Sequence, residues 1–175
     1  MKFDEDIKIF DSSSIKAQSN VQVAPSIESR DILDSARTIG FKLVESANQA
    51  EKGFELEIND NQLLQRRLLL CFAVSTALEE YAQSIQVART ALNTFYDTLK
   101  RSDPEFYDDI GSQGAMTFYY HAKRQSGDEV RRIGQTFAML CGNDGDPISQ
   151  ELGEVLYCKY VNMVRELLEQ HNLIK

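Results

Sequence analysis

Histidine is scarce in this 175-residue chain, which contains only His121 and His171. Helical di-iron enzymes need a glutamate three residues before a histidine, so that both side chains reach the metal from one helix face. Phe118 and Leu168 occupy those positions here. Nucleophilic catalysis needs a base beside a serine or cysteine, and these two histidines are the bases that the chain offers. The sequence therefore predicts no metal, no cofactor and no catalytic residue, and it favours a protein that is not an enzyme.

Cysteine is equally scarce, and no two cysteines form a C-x-x-C pair. Cys71, Cys141 and Cys158 are odd in number and fall within apolar helical patterns, where a thiol behaves as a small hydrophobe. This usage is typical of a reducing compartment. The first six residues lack the basic and apolar regions of a secretory signal. We therefore expect a cytoplasmic protein.

No apolar run approaches the 18 residues or so that a helix needs to cross a bilayer. The longest run is 68–74, with arginines at 66 and 67 before it and glutamates at 79 and 80 after it. A helix through this run is apolar on every side, so it has to be surrounded by other helices. We predict a buried central helix over about 61–82 and no membrane partner.

Basic residues are outnumbered, 19 against 27 acidic ones, which gives a net charge of −8. The resulting field repels phosphate backbones, so we expect no nucleic-acid partner. The adjacent basic pairs, including Arg66-Arg67 and Arg131-Arg132, are interpreted as solvated helix faces. The oxygen-rich stretch 143–146 fails as a calcium loop, because Ile148 and Ser149 stand where a ligand and a glycine are required. We interpret it as a turn between helices.

Periodic apolar residues are few in the first 25 positions, which are rich in serine, asparagine and glutamine. We predict a mobile tail over 1–25, because such a segment buries too little surface to offset its ordering entropy. Its apolar exceptions, able to dock on the body or on a partner, are Phe3, Ile7, Ile9 and Phe10. Residues 26–175 are predicted to form a single helical domain.

Helix-start signals recur along that domain. Asparagine, serine and aspartate side chains cap helix N-termini, and proline fits the first helical position. Such signals stand at Ser26 or Ser29, Asn59, Ser84, Asp103-Pro104 and Asp146-Pro147. They predict an all-α fold with six to seven helices packed around the central one, with 54–58 as an extended connection. The predicted apolar faces include Ile85 on the third helix and Ile148 and Val155 on the last.

Aromatic residues concentrate between positions 95 and 120, interleaved with carboxylates. Aromatic faces beside carboxylates suit a cationic or peptide guest. We therefore predict a binding site here, and its members are Tyr96, Phe106, Tyr107, Asp108, Asp109, Phe118, Tyr119, Tyr120 and His121. The competing interpretation is a short helix held to the core by its aromatic residues, with its acids in water.

Two hypotheses about function follow from these patterns. The first is a non-catalytic interaction protein that binds another protein or peptide, or a second copy of itself. The second is a helical bundle that binds or transforms a small molecule in an aromatic pocket, because tyrosines can orient a ligand without a recognisable motif. A transcription regulator is disfavoured, because the chain lacks a basic helix-turn-helix.

Overall fold

The computed structural model describes residues 27–52, 59–112 and 114–175, and over these ranges the protein is all-α. The predicted tail 1–25 and the predicted extended connection 54–58 lie outside the described residues. Seven helices occupy the described part of the chain: α1 (Ile27–Lys52), α2 (Asp60–Tyr81), α3 (Ile85–Ser102), α4 (Pro104–Ser112), α5 (Ala115–Arg124), α6 (Glu129–Leu140) and α7 (Pro147–Gln170).

Side-chain caps fix where most of these helices begin. The side chain of Asn59 accepts a 2.8 Å hydrogen bond from the amide of Gln62, and Ser84 accepts one from Val87. Three aspartates do the same for the first turns of α4, α6 and α7, namely Asp103, Asp128 and Asp146. Each cap satisfies an amide that the helix cannot pair internally. The predicted starts at 59, 84, 103 and 146 are confirmed.

The central position of α2 is also confirmed. Every residue from Leu68 to Leu78 is buried, as expected for a helix that is apolar around its whole circumference. Its two buried hydroxyls are satisfied by the helix itself: Ser75 donates to the carbonyl of Cys71 and Thr76 to that of Phe72. Helices α3, α5 and α7 all contact α2.

Two closely packed helix pairs flank α2, and glycines permit their close approach. In the α1–α3 pair, a Cβ on Gly40 would lie 2.6 Å from the carbonyl oxygen of Ala91. In the α6–α7 pair, a Cβ on Gly134 would lie 2.5 Å from the carbonyl oxygen of Gln150. Real side chains do not reach such distances, so these backbones touch where a larger residue would hold them apart.

The last residues of the chain return to the end of α2. The amide of Lys175 donates to the carbonyl of Tyr81, and the amide of Gln83 donates to that of Leu173. The ammonium of Lys175 also donates to the carbonyls of Glu79 and Glu80. A cation at this position satisfies terminal carbonyls of α2, whose last turn contains no basic residue of its own.

Several predicted faces are wrong. Apolar periodicity predicts that Ile85, Ile148 and Val155 are buried, but the exposed fraction of Ile148 is 78% and the other two are also exposed. Arg66 was interpreted as solvated and is buried. Cys158 is exposed, whereas Cys71 and Cys141 are buried as predicted. Helical periodicity defines an apolar stripe but not how much of that stripe a neighbour covers.

Within the described ranges, no helix combines the length and the apolar character needed to span a bilayer.

Candidate functional site

The predicted aromatic site is divided by the fold into buried, half-buried and exposed parts. Tyr119 is fully buried, and its ring stacks on Phe72 of the central helix with 5.2 Å between centroids. Phe106 is also buried. These two residues hold α5 and α4 to the core, which matches the competing interpretation for them.

Three tyrosines of the predicted site are half-buried. Tyr96 and Ser75 share a hydrogen bond of 3.0 Å, and the ring of Tyr107 meets that of Tyr96 edge-on. Tyr120, the next residue of α5, packs edge-on against the same ring of Phe72. Burial raises the pKa of Tyr96 and of Tyr120 above the ordinary tyrosine value. These hydroxyls therefore remain protonated at neutral pH.

Two aromatic rings of the predicted site, those of Phe106 and Tyr107, already have a cationic side chain of the protein itself over them. The guanidinium of Arg67 lies 3.7 Å from the ring centroid of Phe106, and the ammonium of Lys100 lies 5.3 Å from that of Tyr107. Arg67 also forms a 2.5 Å ion pair with Asp103, which caps α4. The aromatic residues of α4 thus bind cations, but intramolecularly. Asp108 is exposed and Asp109 half-exposed on the same helix.

The two remaining residues of the predicted site, Phe118 and His121, lie together on the outer face of α5. They line a surface groove of about 260 Å³ between α5 and α6. Phe118 is 51% exposed, and Met139 of α6 is 41% exposed in the same groove. The name α5–α6 groove is used here for the surface formed by Phe118, His121, Ala122, Gln125, Arg132, Gln135, Thr136, Met139 and Asp144.

Arg132 fixes the end of this groove. Its guanidinium donates to three carbonyls at the end of α5 and in the following loop, those of Ala122, Gln125 and Ser126. These carbonyls have no partners within α5, so the planar fork of an arginine replaces the missing helical hydrogen bonds. The side chain that joins α5 to α6 therefore also lines the groove.

A charged cluster that sequence reasoning missed joins four helices on another part of the surface. The ammonium of Lys123 lies 2.9 Å from Oε1 of Glu129 and 3.2 Å from Oε2 of Glu80. The hydroxyl of Tyr157 donates a 2.6 Å hydrogen bond to the same Oε1 of Glu129. Glu80 and Lys123 are separated by 43 positions in the chain, so no local pattern links them. Their proximity depends on how α2 packs beside α5.

The titration of this cluster reflects burial opposed by hydrogen bonding. Partial burial opposes the charge of Glu129, but the hydrogen bonds from Tyr157 and Lys123 outweigh it and lower the pKa of Glu129 below its usual value. Burial opposes the charge of Lys123 too, yet its carboxylate partners raise the pKa of Lys123. Burial and the bond to Glu129 raise the pKa of Tyr157. The cluster is therefore an ion pair with a neutral tyrosine at neutral pH.

Among the residues that the structure describes, no group of three or more histidine, cysteine, aspartate or glutamate side chains is arranged to hold a metal ion. No protein-family model, curated protein or solved structure matches this chain.

Proposed function

We propose that this protein is a non-catalytic interaction protein whose α5–α6 groove binds an acidic amphipathic segment. The observation that carries the proposal is the pairing of Phe118 and Met139. Both are large and apolar, both are about half exposed, and both line one groove. An apolar centre within a polar rim is the usual anatomy of a protein interface.

The rim of the groove supports binding through hydrogen bonds as well as apolar contact. Gln125, Gln135 and Thr136 line the groove together with the two apolar side chains. The ring nitrogen Nε2 of His121 lies 2.8 Å from the amide nitrogen of Gln125, so the two side chains already hold each other in place. Such preorganisation lowers the entropy lost when a partner binds.

Charge supports an acidic partner. The whole chain carries −8, but residues 115–140 contain four basic residues (Lys123, Arg124, Arg131 and Arg132) and two acidic ones (Asp128 and Glu129). This stretch therefore has two more basic than acidic residues in an anionic protein. Lys123 is paired with Glu80 and Glu129, and Asp144 lines the groove, so Arg124 and Arg131 supply the excess positive charge. An acidic segment is attracted to this region and repelled by the remainder, which speeds its encounter and selects its orientation.

The first twelve residues of the chain have this chemistry in their sequence. Phe3, Ile7 and Phe10 are spaced as the apolar contacts of a helix, and Asp4, Glu5 and Asp6 lie between the first two. The occupant that we propose for the groove is therefore this segment, supplied by a second copy of the chain. The cytoplasmic location stays a prediction based on cysteine usage.

The test uses a fluorescent synthetic peptide of residues 1–12. Its affinity is measured by anisotropy for the full chain carrying F3S, I7S and F10S, so that the chain's own segment does not compete. We expect saturable binding that weakens as NaCl is raised, because exposed charges are screened. A peptide carrying the same three serine substitutions is the matched control and is expected not to bind.

The groove is tested by adding F118A and M139A to the same chain. Truncating two apolar anchors at the centre of an interface is expected to weaken binding at least about tenfold. F41A is the matched control, because Phe41 is an exposed aromatic residue on α1 that does not line the groove. Failure of the peptide to bind, or equal loss in the F41A chain, would overturn the proposal. Native mass spectrometry of the wild-type chain then separates self-association from binding to another protein.

A further inference from the structure

A second cavity lies between α2, α6 and α7. Its volume is about 320 Å³, which is near the lower end of the range for small-molecule sites, roughly 300–1,000 Å³. Two small side chains of the central helix, Thr76 and Ala77, form part of its wall. The name Glu129 cavity is used here for the space lined by Thr76, Ala77, Glu80, Tyr81, Glu129, Val130, Tyr157, Cys158, Val161 and Asn162.

The wall of the Glu129 cavity combines apolar and anionic side chains. Val130 of α6 and Val161 of α7 supply aliphatic surface, and Tyr81 and Tyr157 also line the cavity. Glu80 and Glu129 supply two carboxylates. A ligand that fits this wall has a short apolar body and a polar group at one end.

The polar group is a cation, because two carboxylates share a single ammonium. Lys123 lies between Glu80 and Glu129 but does not line the cavity. Both hydrogen bonds that Glu129 accepts from described side chains go to Oε1, and Oε2 accepts none from them. One carboxylate oxygen beside the cavity is thus available to an additional donor. Because Glu129 is partly buried, its attraction for a cation is less screened than at the open surface.

Other cations near the cavity determine which end the ligand's charge occupies. The guanidinium of Arg165 lies 5.1 Å from the ring centroid of Tyr81 and makes that end positive. Arg132 of α6 uses its guanidinium on three backbone carbonyls of the α5–α6 connection. A ligand ammonium is therefore repelled from the Tyr81 end of the cavity and attracted to the carboxylate of Glu129.

We propose that the Glu129 cavity binds a small primary amine with an apolar body, its ammonium on Oε2 of Glu129 and its body against Val130 and Val161. This site is separate from the α5–α6 groove in its residues and in its ligand. A failure of either proposal leaves the other standing.

Cys158 provides a reporter for the test, because it lines the cavity and is exposed. The other two cysteines are buried, and burial raises the pKa of Cys71 to about 12 and that of Cys141 to about 11. Thiolate is the reactive form, so iodoacetamide is expected to modify the native chain at Cys158 first. Its rate is followed by intact mass in the presence of 2-phenylethylamine, 2-phenylethanol or phenylacetate.

We expect saturable protection of Cys158 by 2-phenylethylamine, with the neutral alcohol at least about tenfold weaker and the anion without effect, since a hydrogen bond to a charged group accounts for a difference of this size. Equal protection by amine and alcohol, or no protection at millimolar amine, would overturn the proposal without any substitution.

E129Q keeps the shape of the side chain but removes its charge, and it is expected to weaken amine binding about tenfold. E151Q is the matched control, because Glu151 lies exposed on α7 and does not line the cavity. Unchanged amine binding by a folded E129Q chain would also contradict the proposal.

Discussion

The hydroxyl of Tyr157 on α7 lies 2.6 Å from Oε1 of Glu129 on α6 and donates a hydrogen bond to it. The same oxygen accepts from Lys123 of α5, which also pairs with Glu80 of α2. One carboxylate oxygen thus links three helices directly and a fourth through the lysine. Tyr157 is buried, and its ring also stacks on Phe72 of the central helix. The contact therefore connects a charged surface cluster to the core.

Replacing Tyr157 with phenylalanine removes this hydroxyl and leaves the ring in place. We expect Y157F to lower the free energy of unfolding by about 1–2 kcal/mol, because the lost bond goes to a charged but partly exposed acceptor. Urea unfolding followed by circular dichroism measures the change. An unchanged unfolding midpoint would show that the hydroxyl contributes nothing to stability.

Tyr119 is the matched control for that substitution. Its hydroxyl is buried without a hydrogen-bond partner among the described residues. Removing a buried polar group that lacks a partner also removes its desolvation cost. We expect Y119F to match the wild-type stability within about 0.5 kcal/mol or to exceed it. Destabilisation equal to that of Y157F would reveal a partner for Tyr119, such as a buried water.

Lowering the pH is expected to destabilise the folded protein, because Glu129 and Asp103 become protonated. The Tyr157 and Lys123 contacts outweigh burial and lower the pKa of Glu129, and the hydrogen bond from Arg67 lowers that of Asp103. A carboxyl whose pKa is lower in the folded state binds fewer protons there than in the unfolded chain. Its contribution to stability is therefore complete above the ordinary carboxyl pKa and disappears as the pH falls through the pKa of the folded state.

Unfolding measured between about pH 6 and pH 3 tests this dependence. We expect the loss of stability over this range to be smaller in an E129Q/D103N chain, because these amides do not titrate. Asparagine still caps α4, so the substitution at 103 removes the charge and keeps the cap. E151Q is the control and is expected to retain the wild-type slope. An unaltered slope in E129Q/D103N would assign the acid sensitivity to other carboxylates.

Replacing Gly134 with alanine is expected to destabilise the protein. A Cβ there would lie 2.5 Å from the carbonyl oxygen of Gln150 and from Cγ of Glu154, so α6 and α7 have to separate. We expect G134A to cost about 1–3 kcal/mol, despite alanine's better helix propensity. Gly111 of α4 is the control, because nothing lies within 4 Å of a Cβ at that position. G111A is expected to stabilise the chain by about 0.5–1 kcal/mol, and thermal unfolding distinguishes the two signs.

The contribution of Arg132 to stability is expected to depend on the geometry of its guanidinium and not on charge alone. Its three hydrogen bonds to the carbonyls of Ala122, Gln125 and Ser126 require the planar fork of an arginine. We expect R132K to lower the free energy of unfolding by about 1–2 kcal/mol and to increase amide hydrogen exchange at the end of α5. R131K is the matched control at the neighbouring exposed position and is expected to be neutral. Equal effects of the two substitutions would contradict this role of the Arg132 guanidinium.

Local chemistry explains which features were predictable from sequence. A helix cap involves residues three positions apart, so Asn59, Ser84 and Asp146 could be recognised without knowing the fold. The end of α6 is equally local: Gly142 adopts a φ of +80°, which favours glycine, and the amide of Asn143 donates to the carbonyl of Ala138. The burial of α2 followed from an apolar surface with no polar side.

The candidate site was only partly predictable. Composition identified the aromatic segment 95–120, and the structure places Phe118 and His121 of that segment in one groove. The groove's other apolar residue, Met139, belongs to a different helix and gave no signal in the sequence. Tyr119 and Phe118 are adjacent in the chain, yet one is fully buried and the other half exposed. Composition cannot distinguish two such neighbours, because their exposure depends on the direction in which α5 faces the core.

The sequence by itself determined that this chain is helical, where most of its helices begin, and that α2 has to be surrounded. These properties depend on backbone hydrogen bonding and on apolar periodicity within a few residues. Only the tertiary structure decided that Arg66 is buried, that Ile148 is exposed, and that Tyr157 meets Glu129 and Lys123. The physical reason is that an amphipathic helix specifies which face it buries but not which helix covers that face, and a functional surface is formed where different helices meet.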